Sequence, residues 1–157
     1  MSSLEPPWSV EVKVPSVVDD GLAIIATILA RLEELGWEPM DQFAVHLALE
    51  EAVVNGIKHG NKFDSSKQLH VRYHADDTEF HIEITDEGSG FDPNAVPDPT
   101  EDENLEKTSG RGLLMMELYM SEVNFNDQGN SVRMKRRRGD PINAPDEDDD
   151  DSMFADD

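Results

Sequence analysis

The chain contains no cysteine. That excludes a disulfide framework, a thiolate metal site and a cysteine nucleophile, and it fits a reducing compartment. Aromatic residues make up 6% of the chain and hydrophobic residues 37%, but the apolar shortfall is concentrated near the C-terminus. No apolar run approaches the roughly 18 residues that a bilayer span requires. The stretch Met1 to Val10 shows neither the basic nor the apolar region of a secretory signal. The expectation is a cytoplasmic protein with no membrane association.

Basic residues are also scarce. There are 13 Lys and Arg against 35 Asp and Glu, for a net charge of −22. Nine of the acids, and none of the bases, lie between Asp140 and Asp157; the remainder still carries 26 acids against 13 bases. A surface of that sign opposes direct nucleic-acid binding, because phosphate contacts need Lys and Arg. The one basic cluster, Lys135-Arg136-Arg137-Arg138 with Arg133, reads as a solvated strand end that balances its acidic surroundings. Residues 140–157 read as a disordered acidic tail, and residues 1–139 as one domain.

Periodicity orders the domain. Trp8 to Val14 alternates apolar and polar residues and predicts a strand. Ser16 stands as the expected N-cap of a helix over Val17 to Leu35, with Asp19 completing a capping box. Leu22, Ile25, Ile28, Leu29 and Leu32 form that helix's expected apolar face, and Gly36 its stop. A second, more apolar helix is predicted from Pro39 to Lys58.

Gln68 to Ala75 and Glu79 to Thr85 form an expected hairpin, and Glu122 to Asn126 with Ser131 to Arg137 another. Between them lie a proline- and acid-rich loop from Asp92 to Ser109 and a short apolar helix, Leu113 to Met120. Met115, Met116 and Met120 read as core. The order β, α, α, β, β, loop, α, β, β predicts an α+β, two-layer sandwich: a mixed or antiparallel sheet with its helices on one face.

Polar residues interrupt the second helix at a fixed step. Glu51, Asn55 and His59 are four residues apart in EAVVNGIKHG. On a 3.6-residue wheel Asn55 lies about 40° from Glu51, and His59 about 80°. Ala44, Leu47, Ala48 and Val54 share that sector. A carboxylate and an amide among apolar groups call for a polar partner, and the small alanines leave room for one. Downstream follow Asp86-x-Gly88-x-Gly90, directly after a predicted strand, and Gly110-Arg111-Gly112, directly before a predicted helix. Each signal alone is an ordinary turn or helix start. Together and in this order they are specific.

From about Val10 to Arg137 the chain resembles the GHKL ATPase superfamily with its Bergerat ATP-binding fold. Within it, the chain is most similar to the bacterial anti-sigma-factor serine/threonine kinases of the RsbW and sporulation type. EAVVNGIKHG resembles the family's helix motif and DEGSGF its first glycine box.

The resemblance implies that Asn55 ligates Mg²⁺ and that Glu51 is the general base for the attacking hydroxyl. It also implies that Asp86 accepts a hydrogen bond from the adenine amino group, with Gly88 and Gly90 close to base and sugar. Gly110 and Gly112 would wrap the triphosphate under a lid formed by residues 92–109. Elementary chemistry agrees: Mg²⁺ takes one or two protein oxygens and keeps its waters and phosphates, and phosphoryl transfer is largely positioning and charge neutralisation. Lys107 and Arg111 are placed to add cationic contacts to the phosphates.

The implied activity is an ATP-dependent serine/threonine protein kinase. It would phosphorylate a STAS-type antagonist and sequester a sigma factor, with a homodimer implied by the resemblance alone. The alternative is a non-catalytic ATP- or ADP-sensing module that holds a partner. A histidine-kinase reading requires a helical hairpin bearing the phosphoacceptor, and a gyrase-like one a transducer domain.

Overall fold

The computed structural model describes residues 8–88, 115–127 and 129–142. Among these residues five strands form one sheet: β1 (Val10–Pro15), β2 (Gln68–Ala75), β3 (Glu79–Thr85), β4 (Glu122–Phe125) and β5 (Ser131–Arg137). Their order across the sheet is β1-β2-β3-β5-β4, and every pairing is antiparallel. Helices α1 (Val18–Glu34) and α2 (Pro39–Asn55) join this sheet in a common apolar core.

The core follows from period-two alternation. Leu69, Val71 and Tyr73 of β2, Phe80, Ile82 and Ile84 of β3, and Val132 and Met134 of β5 are buried. They pack with Ile25, Ile28 and Leu32 of α1 and Val45, Leu49 and Val53 of α2. Helix α2 is the more deeply embedded of the two. Ala44, Val45, Ala48 and Leu49 are each fully buried. Gly21 lets the helices approach closely, for a Cβ there would stand 2.6 Å from Val53 Cγ1. Met116 and Met120 are core residues, as expected, whereas Met115 is only half-buried.

Several local expectations are overturned. Ser16 does not cap α1: the N-cap is Val17, with no side-chain cap bond. Ser16 is instead buried, and its hydroxyl accepts from Asn61. Leu22 does not join the buried face of α1 and is 42% exposed. The buried stripe runs through Gly21, Ile25, Ile28 and Leu32, so the glycine replaces Leu22 at the contact with α2.

The α-helical part of the second helix ends at Asn55 rather than Lys58, and Gly56–Gly60 forms a π-helical turn. Its wider winding closes through Asn61 N–H to Gly56 O at 2.8 Å.

The basic cluster is not a uniformly solvated strand end. Arg136 falls on the inward row of β5, after Val132 and Met134, and is 1% exposed. Its guanidinium meets Asp41 of α2 at 2.8 Å and donates to the carbonyls of Tyr119 and Asp140, each at 2.7 Å.

The outward residues of the cluster are ion-paired. Arg133 joins Glu83, Lys135 lies between Glu79 and Glu122, and Arg137 joins Glu122 and Asp140. Arg138 reaches Glu38 and the carbonyl of Gly36. Thus all five bases serve the fold.

Candidate functional site

Glu51 and Asn55 occupy successive turns at the C-terminal end of α2, and both are half-buried. Among the described residues, neither side chain makes a hydrogen bond or an ion pair, although buried Ala48 and Ala52 lie on the same helix. A polar pair at a half-buried position, engaged by none of the described residues, keeps hydrogen-bonding capacity that a ligand could take up. His59, also half-buried, lies in the π turn.

Asp86 follows β3 and is brought against that same helix end. A Cβ on Gly60 would stand 2.2 Å from the Asp86 carboxyl carbon, and one on Gly88 would stand 2.0 Å from the Gly60 carbonyl. Gly56 faces the Cβ of Asp86 and Leu69. The glycines of the helix motif therefore make room for the aspartate of the next motif, a use of glycine that needs close approach rather than unusual dihedrals.

The backbone of Asp86 is clamped from the β4–β5 turn. Its N–H donates to Asn130 O at 2.9 Å, and its carbonyl accepts from Asn130 Nδ2 at 3.3 Å. Asn126 Oδ1 in turn collects the N–H groups of Gly129, Asn130 and Ser131.

One Asp86 oxygen, Oδ1, accepts from Gly88 N–H at 2.8 Å; Oδ2 has no partner among the described residues. Burial pushes the Asp86 carboxyl above its ordinary 3.8, against the opposing pull of the Gly88 N–H and the charge of Lys67. A desolvated carboxylate with one open oxygen suits a neutral N–H donor such as an exocyclic amine.

These features fit a magnesium nucleotide. Asn55 supplies an uncommitted amide oxygen of the kind Mg²⁺ accepts, and Glu51 a carboxylate one turn away. Asp86 has a carboxylate oxygen of the kind a base amine can donate to, beside a Cβ-free surface.

Of the other expected site residues, Gly88 is described and packs on Gly60. Gly90, Gly110, Arg111 and Gly112, together with Lys107 and the expected lid, lie outside the described residues. Among the described residues no cluster of His, Cys, Asp or Glu could hold a metal, and no helix is long and apolar enough to cross a membrane. A shallow depression of about 320 Å³ lies on the other face of the sheet, lined by Lys13, His70, Arg72 and Glu83 among others. Arg72 and Glu83 pair across the strands there, His70 meets Glu87, and Glu51, Asn55 and Asp86 are not among its lining residues.

Asn61 is the residue whose importance the sequence concealed. It is fully buried, its Nδ2 donates to Ser16 Oγ and Gln68 O, each at 3.1 Å, and its Oδ1 accepts from Glu87 N–H at 2.8 Å. It directly follows the helix motif, at the close of the π turn. Its bonds place it behind the site.

Comparison with known proteins gives the family of the chain. Residues 18–136 match the histidine kinase-like ATPase domain. The chain is 34% identical over 119 residues to an anti-sigma F factor of Clostridium botulinum (strain Eklund 17B / Type B), covering 72% of this chain and 80% of that protein. It is 26% identical over 136 residues to the serine-protein kinase RsbW of Bacillus subtilis (strain 168), covering 81% and 84%. With the RsbW of Listeria innocua it shares 28% over 97 residues, 57% of this chain and 62% of that one. The match thus spans less than two thirds of the Listeria relative. A crystal structure of the RsbU and RsbW domains of a Mycobacterium tuberculosis protein superposes with a TM-score of 0.56 at 18% identity, over 85% of this chain and 32% of that one. That likeness shows the α+β fold.

Proposed function

This chain belongs to the histidine kinase-like ATPase family, and we propose that within it the protein is an ATP-dependent serine/threonine protein kinase acting as an anti-sigma factor. Its phosphoacceptor would be a serine or threonine of a STAS-type antagonist, and a sigma factor would be the partner it otherwise holds. The relatives named anti-sigma F factor and serine-protein kinase RsbW support this reading. One observation carries it to the residue level: Glu51 and Asn55, half-buried one turn apart, are engaged by no other described group.

The roles divide by chemistry. Asn55 would hold Mg²⁺ through its amide oxygen, and Asp86 would hold the adenine amino group through Oδ2. Gly88, and with it Gly90, Gly110, Arg111 and Gly112, would line the nucleotide. Bound Mg-ATP supplies the electrophilic phosphoryl group and neutralises its charge. Glu51 would take the proton from the attacking hydroxyl, as a carboxylate within reach of that oxygen can. The body, residues 1–139, would act as the kinase domain in the cytoplasm, with the acidic segment from residue 140 as its tail.

Capture of the tagged full chain from its source cell, with and without Mg-ATP, followed by mass spectrometry, tests this. The expected result is a co-purified STAS-domain protein that gains one phosphoserine or phosphothreonine when ATP is present. Tight Mg-ATP binding with a captured partner but no phosphate transfer would overturn the kinase assignment in favour of a non-catalytic nucleotide-sensing module.

A further inference from the structure

We propose that Asn61 is a positioning residue for nucleotide recognition, acting through Glu87 to hold the Asp86 carboxylate against the end of the helix that carries Glu51 and Asn55. The inference rests on the reading of Asp86 as the base-binding acid.

The geometry is that of a three-way clamp. The Asn61 side chain has two N–H donors and one carbonyl acceptor, and all are used. Nδ2 spans Ser16 Oγ at the β1–α1 junction and Gln68 O at the start of β2. Oδ1 takes the N–H of Glu87. The Asn61 backbone is spent as well: its N–H closes the π turn on Gly56 O, and its carbonyl accepts from Asp64 N–H.

No other side chain of similar size satisfies this set. Aspartate has no donor when ionised, leucine has neither donor nor acceptor, and glutamine is longer by one carbon. The residue is fully buried, so a lost bond is not replaced by bulk water.

The clamp acts on the site because its two ends adjoin the two surfaces that meet there. Residue 61 follows Gly60, and residue 87 follows Asp86. Gly60 and the Asp86 carboxyl are in such close contact that no Cβ fits between them. The Asn61–Glu87 bond therefore ties the 60–61 peptide to the 86–87 peptide beside the contact itself. The opposite side of Asp86 is tied to Asn130. With both ties made, Oδ2 presents a fixed acceptor. With the Asn61 tie broken, the segment Asp86-Glu87-Gly88 hinges on the Asn130 side.

The test uses the full chain and titrations with Mg-ATP and Mg-GTP. Asn61→Ala is expected to weaken Mg-ATP binding about tenfold, with a comparable fall in the preference for ATP over GTP, since a displaced acceptor loses one charge-assisted bond. Ser16→Ala breaks a different arm of the clamp. It should lower the melting temperature while leaving ATP affinity and base preference within about twofold of wild type.

The proposal is overturned if Asn61→Ala melts lower yet binds and discriminates like wild type. Should Asn61→Ala not fold, Asn61→Asp carries the test, because it keeps an oxygen towards the Glu87 N–H. It should retain the ATP preference that Asp86→Asn loses, and an equal loss in both variants overturns the proposal. Wild-type protein that binds no Mg-ATP would remove the nucleotide-site reading and this inference with it. Wild-type binding that is lost in Asp86→Asn but kept in Asn61→Ala would remove this inference alone.

Discussion

Arg136 and Asp41 stand 95 residues apart in the chain and meet at 2.8 Å, with side chains 1% and 3% exposed. The pair joins the end of β5 to the first turn of α2, and Asp41 also accepts from Gly139 N–H at 3.0 Å. Asp41→Ala would leave a buried guanidinium without its counter-charge and should destabilise the fold by about 3–5 kcal/mol. Replacing both residues with apolar side chains, Asp41→Leu with Arg136→Met, should recover most of that loss. Urea midpoints of the two variants decide the matter.

Glu51 makes no bond within the described protein, so its removal should not disturb the fold. Glu51→Gln is expected to keep Mg-ATP affinity within about threefold while phosphate transfer falls by at least about 10²-fold, the usual contribution of a general base. Transfer at the wild-type rate would show that another group takes the proton.

Asp86 predicts opposite effects on binding and on stability. Its carboxyl is pushed above the ordinary value by burial. A raised folded-state pKa contributes stability that is present below the unfolded-state value and lost as pH rises through the folded one. The ionised group therefore burdens the nucleotide-free protein at pH 7. Asp86→Asn should melt higher than wild type there, the gap closing below about pH 4, while Mg-ATP affinity falls by about tenfold or more. Calorimetry beside a nucleotide titration reads both quantities, and unchanged affinity would remove Asp86 from the site.

Gly60 is the cheapest way to move that carboxylate without touching it. A Cβ there would meet the Asp86 carboxyl at 2.2 Å, too close for any van der Waals contact. Gly60→Ala should fold, because alanine suits a helical turn, but should lose at least about tenfold in Mg-ATP affinity if about 1.4 kcal/mol of binding depends on the displaced acceptor. Wild-type affinity would mean that Asp86 does not need its present place.

Asp76 governs the β2–β3 turn. Its Oδ1 accepts from the N–H groups of Thr78 at 2.8 Å and Glu79 at 2.9 Å, and these bonds hold its carboxyl far below the ordinary value. A depressed folded-state pKa contributes stability that is present above the unfolded-state value and lost as pH falls through the folded one. Asp76→Ala should therefore cost about 1–2 kcal/mol at pH 7 and progressively less as the pH drops below 4, as acid and urea melts of the two proteins would show.

Much of this protein was legible without coordinates. The bounds expected for the hairpin, Gln68–Ala75 and Glu79–Thr85, and for Ser131–Arg137 coincide with β2, β3 and β5. Strict alternation on a half-buried strand leaves little choice of face. The same alternation already placed Arg136 on the inward row with Val132 and Met134, but its basic neighbours obscured that signal.

Helix surfaces were harder. The 3.6-residue step puts Leu22 beside Ile25 and Leu29, yet the neighbour that α2 presents there is Val53, and only Gly21 admits it. An apolar stripe says which residues want a partner, not how closely that partner arrives.

The site divides along the same line. The chain by itself determined that Glu51 and Asn55 share one helix and that Asp86 ends a strand, because helical and strand periodicities are local properties of the backbone. Tertiary structure alone decided how these motifs meet. The π turn at Gly56–Gly60, the missing Cβ of Gly60 and the buried amide of Asn61 bring the aspartate to the helix end. Those relationships join groups dozens of residues apart through hydrogen bonds and steric fit, which depend on where the packed elements come to rest and leave no periodic trace in the sequence.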